Sequence, residues 1–465
     1  MSWHRASPTV RRPPAPRALA RARGASDAYR NITDHLASIA LRPPSWAWYL
    51  GFGLSLLLTL PFLAMLALLL LQGTGIWGIK IPVGWGMAIV NFGWWSRIGH
   101  AGTLISALLL VARARWRTSI NRFAEAMSLF ALVNAGLMPL LHLGRPWLFY
   151  WMLPYPNSMG LWPQFRSPLA WDLFAIAVYF VVSLLFWYAG LIPDLATLRD
   201  RAQGRRARAI YGALSLGWVG SATDWRRYDN AYYLLGALVL PLVVSTHTIV
   251  GLDFATSVLP GWHETISPPM FVVGALFGGF AMILVMIIPI RAAFELHPYI
   301  TGHHLDNLGR LLLGLSLLAT FGYLLDLFHG WYSDSAFDEY WALTRFTGFY
   351  APLYLGVLLG GVLIPQLLWF RRLRQQPLVL FLVALSVLIA NWLERFVGVV
   401  VPLHRDFLPS SWGLFLPTVW DWALIAGSFG LFFTLIFLFL RFLPVISIFE
   451  MRELVFVERV TEDDE

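Results

Sequence analysis

Ten long apolar segments alternate with polar connections along this chain, and its arginines fall almost entirely on one alternate set of those connections. A backbone crossing lipid finds no water to pair with, so each crossing must satisfy its own N–H and C=O groups. Helices do this segment by segment, and strands only in closed barrels. No two-residue apolar alternation runs through the segments, so the expected fold is an all-α integral membrane protein. A crossing helix needs about 20 apolar residues. That window places ten transmembrane helices, spans 1 to 10, near 47–72, 84–112, 121–142, 168–192, 229–256, 268–291, 304–327, 347–370, 377–400 and 415–443. The composition agrees, since 58% hydrophobic and 13% charged residues are far from a soluble domain with its roughly 25% charged residues.

The basic residues set the orientation. Of the 34 Lys and Arg, about 26 lie on the N-terminal arm, on the connections after spans 2, 4, 6 and 8, and on the C-terminal tail; about 6 lie on the other connections. Positive charge stays on the cytoplasmic side, so both termini are expected there. The net charge of +8 then reflects contact with anionic lipids, not nucleic acid. Arg205-Arg206-Ala207-Arg208 and Arg371-Arg372-Leu373-Arg374 read as solvated anchors. Residues 1–46 are rich in Arg and Pro, have no apolar core, and read as a largely disordered cytoplasmic arm rather than a cleaved signal peptide. The connection 193–228 has room for a surface helix, and Thr461-Glu462-Asp463-Asp464-Glu465 make an acidic tail. The chain has no cysteine, which excludes cysteine-ligated iron–sulfur clusters, c-type haem and disulfides within it.

Against this apolar background, ionisable residues inside the spans stand out, because burying such groups in lipid is costly and by default marks a functional site. His142 ends span 3 at the outer face, where Leu143-Gly144-Arg145-Pro146-Trp147 must turn the chain. Asp172 lies in the first turns of span 4, which Ser167 can cap and Pro168 can open. Spans 3 and 4 are sequence neighbours, so His142 and Asp172 are expected to approach each other. Asp253 lies near the outer end of span 5 with His247 roughly 9 Å deeper and on a different face. Glu394 and Arg395 lie near the outer end of span 9, and Tyr323, Asp326 and His329 at that of span 7. Arg97 and His100 sit mid-membrane in span 2 and must face the protein interior, for packing or for a proton path. Plainer readings stand beside these: His329 and Glu394 as caps or snorkelling groups, and Glu125 as an interface ion pair with Arg122.

An imidazole, a carboxylate and an arginine beneath an apolar roof can exchange protons with a lipid-soluble carrier. Quinol oxidation removes protons from two hydroxyls, and a flat aromatic slot suits the ring. The outer connections supply Trp147, Tyr150, Trp151, Tyr155, Trp162, Phe165 and Trp171, which serve either as such a slot or as an interfacial belt. The residues alone leave other classes open: a secondary transporter, a plain membrane anchor of a redox complex, or a di-haem cytochrome b, for which His100 and His247 are the candidates for a deep ligand pair.

Several runs resemble a known family. Val83-Gly84-Trp85-Gly86, Ile98-Gly99-His100-Ala101-Gly102-Thr103, Trp116-Arg117-Thr118-Ser119-Ile120-Asn121-Arg122-Phe123-Ala124-Glu125 and His142-Leu143-Gly144-Arg145-Pro146-Trp147 resemble the polysulfide-reductase NrfD-like membrane subunits. So do Pro154-Tyr155-Pro156-Asn157, Trp162-Pro163-Gln164-Phe165-Arg166-Ser167-Pro168 and Ser245-Thr246-His247-Thr248-Ile249-Val250-Gly251-Leu252-Asp253-Phe254. Within the family the chain is most similar to the quinol-binding subunit of bacterial alternative complex III. The resemblance implies two four-helix bundles, spans 2–5 within 84–256 and spans 6–9 within 257–400, flanked by span 1 with its loop (47–83) and by span 10 with the tail (401–465). It implies a bacterial inner-membrane subunit without haem or iron–sulfur cluster that binds menaquinol or another quinol near the periplasmic face. Electrons would pass to a periplasmic iron–sulfur subunit and c-type haem subunits, beside a second NrfD-like membrane subunit. His142 and Asp172 are then the quinol ligands, with Arg395 and Asp253 at the pocket, and a proton path would draw on His247, Asp253, His100, Arg97, Glu125 and Tyr323.

Overall fold

The computed structural model describes residues 25–153, 160, 165–405 and 407–463, with no strand among them. The helices follow as α1 (Ala25–Leu41), α2 (Trp46–Gln72), α3 (Met87–Val111), α4 (Asn121–His142), α5 (Pro168–Arg201), α6 (Arg205–Leu214), α7 (Ala222–Ala255), α8 (Ser267–Ala293), α9 (Gly302–Tyr332), α10 (Ala336–Thr347), α11 (Ala351–Val357), the single turn α12 (Arg371–Arg374), α13 (Pro377–His404), α14 (Val419–Phe442) and α15 (Ile448–Asp463). α11 continues through a π-helical turn, Leu358–Leu363, and a 3-10 stretch, Ile364–Trp369. Counting that continuation with α11, nine of the described helices are long and apolar enough to cross a membrane. α3 is the tenth long helix. Asn91, Ser96, Arg97, His100, Thr103 and Ser106 make it less apolar than the others, and it avoids lipid by burying residues on every face.

The ten expected segments coincide with helices, and their ends move where polar chemistry extends a helix past its apolar run. α7 starts earlier than expected because Ser221 and Asp224 form a reciprocal cap: the Asp224 amide donates to Ser221 Oγ (3.2 Å) and the Ser221 amide to Asp224 Oδ2 (3.0 Å). α6 occupies the connection expected to hold a surface helix. The arm departs from expectation. Residues 1–24 lie outside the described residues, but α1 is helical and packs on α5, α14 and α15. Its Ala28, Ile32, Leu36 and Ala40 are buried at every fourth position, a stripe on one helical face too short to register against the Arg- and Pro-rich surroundings.

α3 is the hub. It packs against α4, α7, α8 and α13, while α2 and α14, the first and last spans, pack on each other. Its contacts with α8 and α13 cross the division expected between spans 2–5 and spans 6–9. Small residues permit the approach: a Cβ on Gly102 would lie 2.1 Å from the Ala124 carbonyl oxygen of α4, and one on Gly279 of α8 would lie 1.8 Å from Ala101 Cβ.

Candidate functional site

A cavity of about 680 Å³ opens among α3, α4, α5 and α7, within the range of small-molecule sites. Its walls are largely apolar, with Phe92, Phe149, Phe180 and Phe254 among them, and four ionisable side chains reach it: His142, Asp172, Asp253 and Arg395. All four assigned to a quinol pocket from sequence therefore meet at one cavity. The aromatic wall differs from expectation. Trp147, Tyr150, Trp151, Phe165 and Trp171 are all exposed, as an interfacial belt is, and Tyr155 and Trp162 lie outside the described residues. The runs Pro154-Tyr155-Pro156-Asn157 and Trp162-Pro163-Gln164 share that fate.

Local structure aims each group. His142 is the last residue of α4, and Gly144, in the left-handed region at φ +69°, turns the chain behind it. Asp172 lies in the first turns of α5, with Pro168 at the helix start; Ser167 occupies the cap position, but its side chain makes no capping bond. Asp253 sits in the last turn of α7. His142 lines the same cavity, and Asp172 meets Asp253, the two carboxyl groups lying within hydrogen-bonding reach. Such a contact is attractive only with a proton on one of them. His142 Nδ1, Asp172 Oδ1 and Asp253 Oδ1 are buried without a hydrogen-bond partner. Buried polar atoms are nearly always paired, so three orphans around one apolar cavity fit a ligand that carries hydroxyl or carbonyl groups, as a quinol does.

Beside the cavity, Arg97 of α3 and Arg395 of α13 share the Glu394 carboxylate as buried ion pairs. Both guanidinium groups lie over the Phe271 ring, at 5.3 and 4.2 Å. Glycines make room: a Cβ on Gly93 would come within 3.1 Å of Arg395 Cδ, and one on Gly274 within 2.7 Å of Arg97 Cζ. Glu394, for which the sequence left a cap or snorkelling role open beside a functional one, is thus the counter-ion of two buried arginines. Its signal was present in the adjacent Arg395 and in Arg97 within an apolar helix.

Deeper in the protein, His100 and His247 meet edge to face, with ring centroids 4.3 Å apart, and Tyr179 lies as close to His100. His100 Nδ1 donates to the Ser96 carbonyl at 2.5 Å, while its Nε2 and both nitrogens of His247 are unpartnered. Touching imidazoles leave no space for a macrocycle between them, so they do not fit a shared haem. Ser96, His100, Thr103 and Ser106 recur at helical spacing on one face of α3. Ser106 Oγ donates to Glu125 at 2.5 Å and the Tyr232 hydroxyl donates to the same oxygen at 3.0 Å. Arg117 bridges Tyr232 (3.4 Å) to Glu450 of α15 (2.8 Å). The ion pair expected between Glu125 and Arg122 is not formed; Arg122 binds Asp194 at 3.0 Å. Tyr323 faces a second, smaller cavity with Asp326, and exposed His329 does not join them.

Comparison with known proteins adds the family. The family described as Polysulphide reductase, NrfD, matches residues 78–402. A protein of Halobacterium salinarum named as the membrane subunit of a dimethyl sulfoxide reductase is 30% identical over 339 residues, covering 69% of this chain and 72% of that protein. A protein of Mesobacillus selenatarsenatis named as a subunit of selenate reductase is 22% identical over 389 residues, covering 78% of this chain and 86% of its own. With the match running from the loop before α3 to the end of α13, the chain belongs to the NrfD polysulphide reductase family of membrane subunits.

Proposed function

We propose that this chain is the quinol-oxidising membrane subunit of a respiratory complex of the alternative complex III type. Quinol enters the 680 Å³ cavity from the lipid and presents one hydroxyl to His142 and the Asp172–Asp253 pair. The observation that carries the reading is the set of three orphaned polar atoms, on His142, Asp172 and Asp253, around one otherwise apolar cavity. The imidazole and the carboxyl pair accept protons as electrons leave, and the fixed charge of Arg395 at the wall favours an anionic semi-deprotonated ring. The chain supplies binding and proton acceptance, while an iron–sulfur subunit docked at this end, c-type haem subunits and a second NrfD-like membrane subunit take the electrons onward. The Arg-rich connections support a cytoplasmic side for the opposite end and both termini, in a bacterial cell.

A proton route across the protein is part of the same reading. Tyr232, Glu125 and Ser106, with Arg117 holding Glu450 beside them as a fixed charge, lead from the Arg-rich end towards Thr103, Tyr179, His100 and His247. The names of the two relatives support a second reading, in which the electrons serve a terminal reductase of the dimethyl sulfoxide or selenate type. The test is quinol-driven reduction of the partner subunit in the assembled complex: His142→Ala and Asp172→Asn abolish it without disassembly, and undiminished turnover in both refutes the assignment.

A further inference from the structure

A second cavity, of about 120 Å³, shares Arg395 and Phe254 with the first. Two carboxyl groups face it within hydrogen-bonding reach of one another: Glu264, from the connection between α7 and α8, and Asp326 of α9. Arg345 of α10 forms an ion pair with Asp326 and lies 3.6 Å over the Trp341 ring. The Arg345 side chain is only 4% exposed, yet its Nε and Nη2 have no partner, nor has the buried Tyr354 hydroxyl on the same wall. Unpaired buried guanidinium donors are costly. A space of this size has room for ordered water, each molecule needing two to four polar partners, and these donors and carboxylates could supply them.

We propose that Glu264 and Asp326 form a proton relay site, fed through water in this chamber, which empties the Asp172–Asp253 pair after each quinol oxidation. This rests on the quinol-oxidation reading above. Oxidation of one quinol breaks two O–H bonds, sends two electrons to the iron–sulfur cluster of the partner subunit and leaves two protons. Each proton taken by Asp172–Asp253 passes the Arg395–Glu394 pair into the chamber and reaches Asp326. Glu264 releases its own proton outward as the new one arrives. Glu264 is suited to this end of the relay because it is partly exposed between exposed His263 and Thr265.

Glu264 lies outside the membrane-spanning helices. Burial, then the hydrogen bond and charge of Asp326, push its carboxyl up to about 10, so it holds a proton at neutral pH. The groups that face it are Asp326 and Tyr323 on α9, and Asp338 and Arg345 on α10. Tyr354 on α11, Glu394 and Arg395 on α13 and Arg97 on α3 complete the walls.

The experiment uses the assembled complex with its partner subunits and compares Glu264→Gln, Glu264→Asp and Asp172→Asn. It reads quinol-driven turnover against pH, and fluorescence quenching of the quinol-site inhibitor heptyl-hydroxyquinoline N-oxide as the binding probe. The expected result is that Glu264→Gln lowers turnover about a hundredfold, alters the alkaline limb of the pH profile and leaves inhibitor binding unchanged, while Glu264→Asp restores most of the rate. Wild-type turnover and pH profile in Glu264→Gln overturn the relay, as does a loss in which the pH profile keeps its shape and Glu264→Asp gives no rescue. If Glu264→Gln fails to assemble, Asp326→Asn is read by the same criteria. Loss of turnover in Asp172→Asn beside an unaffected Glu264→Gln removes the relay and keeps the quinol site; full turnover in Asp172→Asn removes both.

Discussion

Asp172, near the start of α5, meets Asp253, near the end of α7, carboxyl to carboxyl at the wall of an apolar cavity. Two acids so placed titrate as a unit, and their apparent proton affinities belong to the pair. On the proposed quinol reading, replacing Asp172 by Asn removes a proton acceptor at the cavity wall and is expected to lower turnover about a hundredfold or more. Replacing Asp253 by Asn leaves Asp172 in place with a permanent donor beside it, so the pair loses its shared proton but keeps its geometry. The expected result for Asp253→Asn is a smaller loss with a pH profile of one step fewer, measured by steady-state quinol oxidation. Equal losses in the two variants with unchanged profiles contradict the pairing.

This pairing also shows where the sequence was legible. The ten apolar segments follow from hydropathy, which acts locally. His142, Asp172, Asp253 and Arg395 could be singled out one at a time because each interrupts an apolar run, but which of them touch depends on how α5 and α7 rotate about their axes. Sequence adjacency of the spans suggested His142 beside Asp172, and packing adds Asp253, from a span that is not a sequence neighbour, as a partner of Asp172. Glu264 and Arg345 went unnoticed for a different reason. They lie on connections between the spans, where charged residues are ordinary, and only the tertiary fold brings them to one chamber. The broken continuation of α11 through Gly360, Gly361 and Pro365 is the one discontinuous helix among the described spans, so it lacks the matched partner that a transporter of inverted repeats would present.

Arg97 and Arg395 depend on one carboxylate. Glu394→Gln leaves two buried guanidinium groups facing each other with no counter-charge, and breaking a buried pair in this way costs about 3–5 kcal/mol. Arg97→Met leaves Arg395 with Glu394 and removes one buried charge altogether. Thermal unfolding of the purified complex should therefore show Glu394→Gln as much the less stable of the two. A smaller loss in Glu394→Gln than in Arg97→Met would mean that the arginines are held by other groups.

His247 has no hydrogen bond to lose, since both its ring nitrogens are unpartnered and the side chain is fully buried against His100. His247→Phe keeps the ring contact and removes both ring nitrogens able to carry a proton at that position. It is expected to leave thermal stability within about 1 kcal/mol while abolishing proton movement in sealed vesicles driven by quinol. Retained proton movement at the wild-type ratio to electrons would exclude His247 from the route.

Glu264 makes a stability prediction that needs no quinol. Its carboxyl rises from the ordinary value of 4.5 to about 10 in the folded protein, so the fold binds that proton more tightly than the unfolded chain does. The sign follows: the stabilisation is fully present below the unfolded value and is lost as pH rises towards the folded one. The thermal midpoint of the wild-type complex should fall as pH is raised from about 6 to about 9, and Glu264→Gln, which cannot ionise, should fall less over the same interval. Because the Gln side chain still reaches Asp326 with a donor, its midpoint at the acid end should stay close to wild type. Parallel slopes in the two proteins would show that Glu264 exchanges its proton as freely as an exposed acid, and the chamber would then lack the coupling that places it with Asp326.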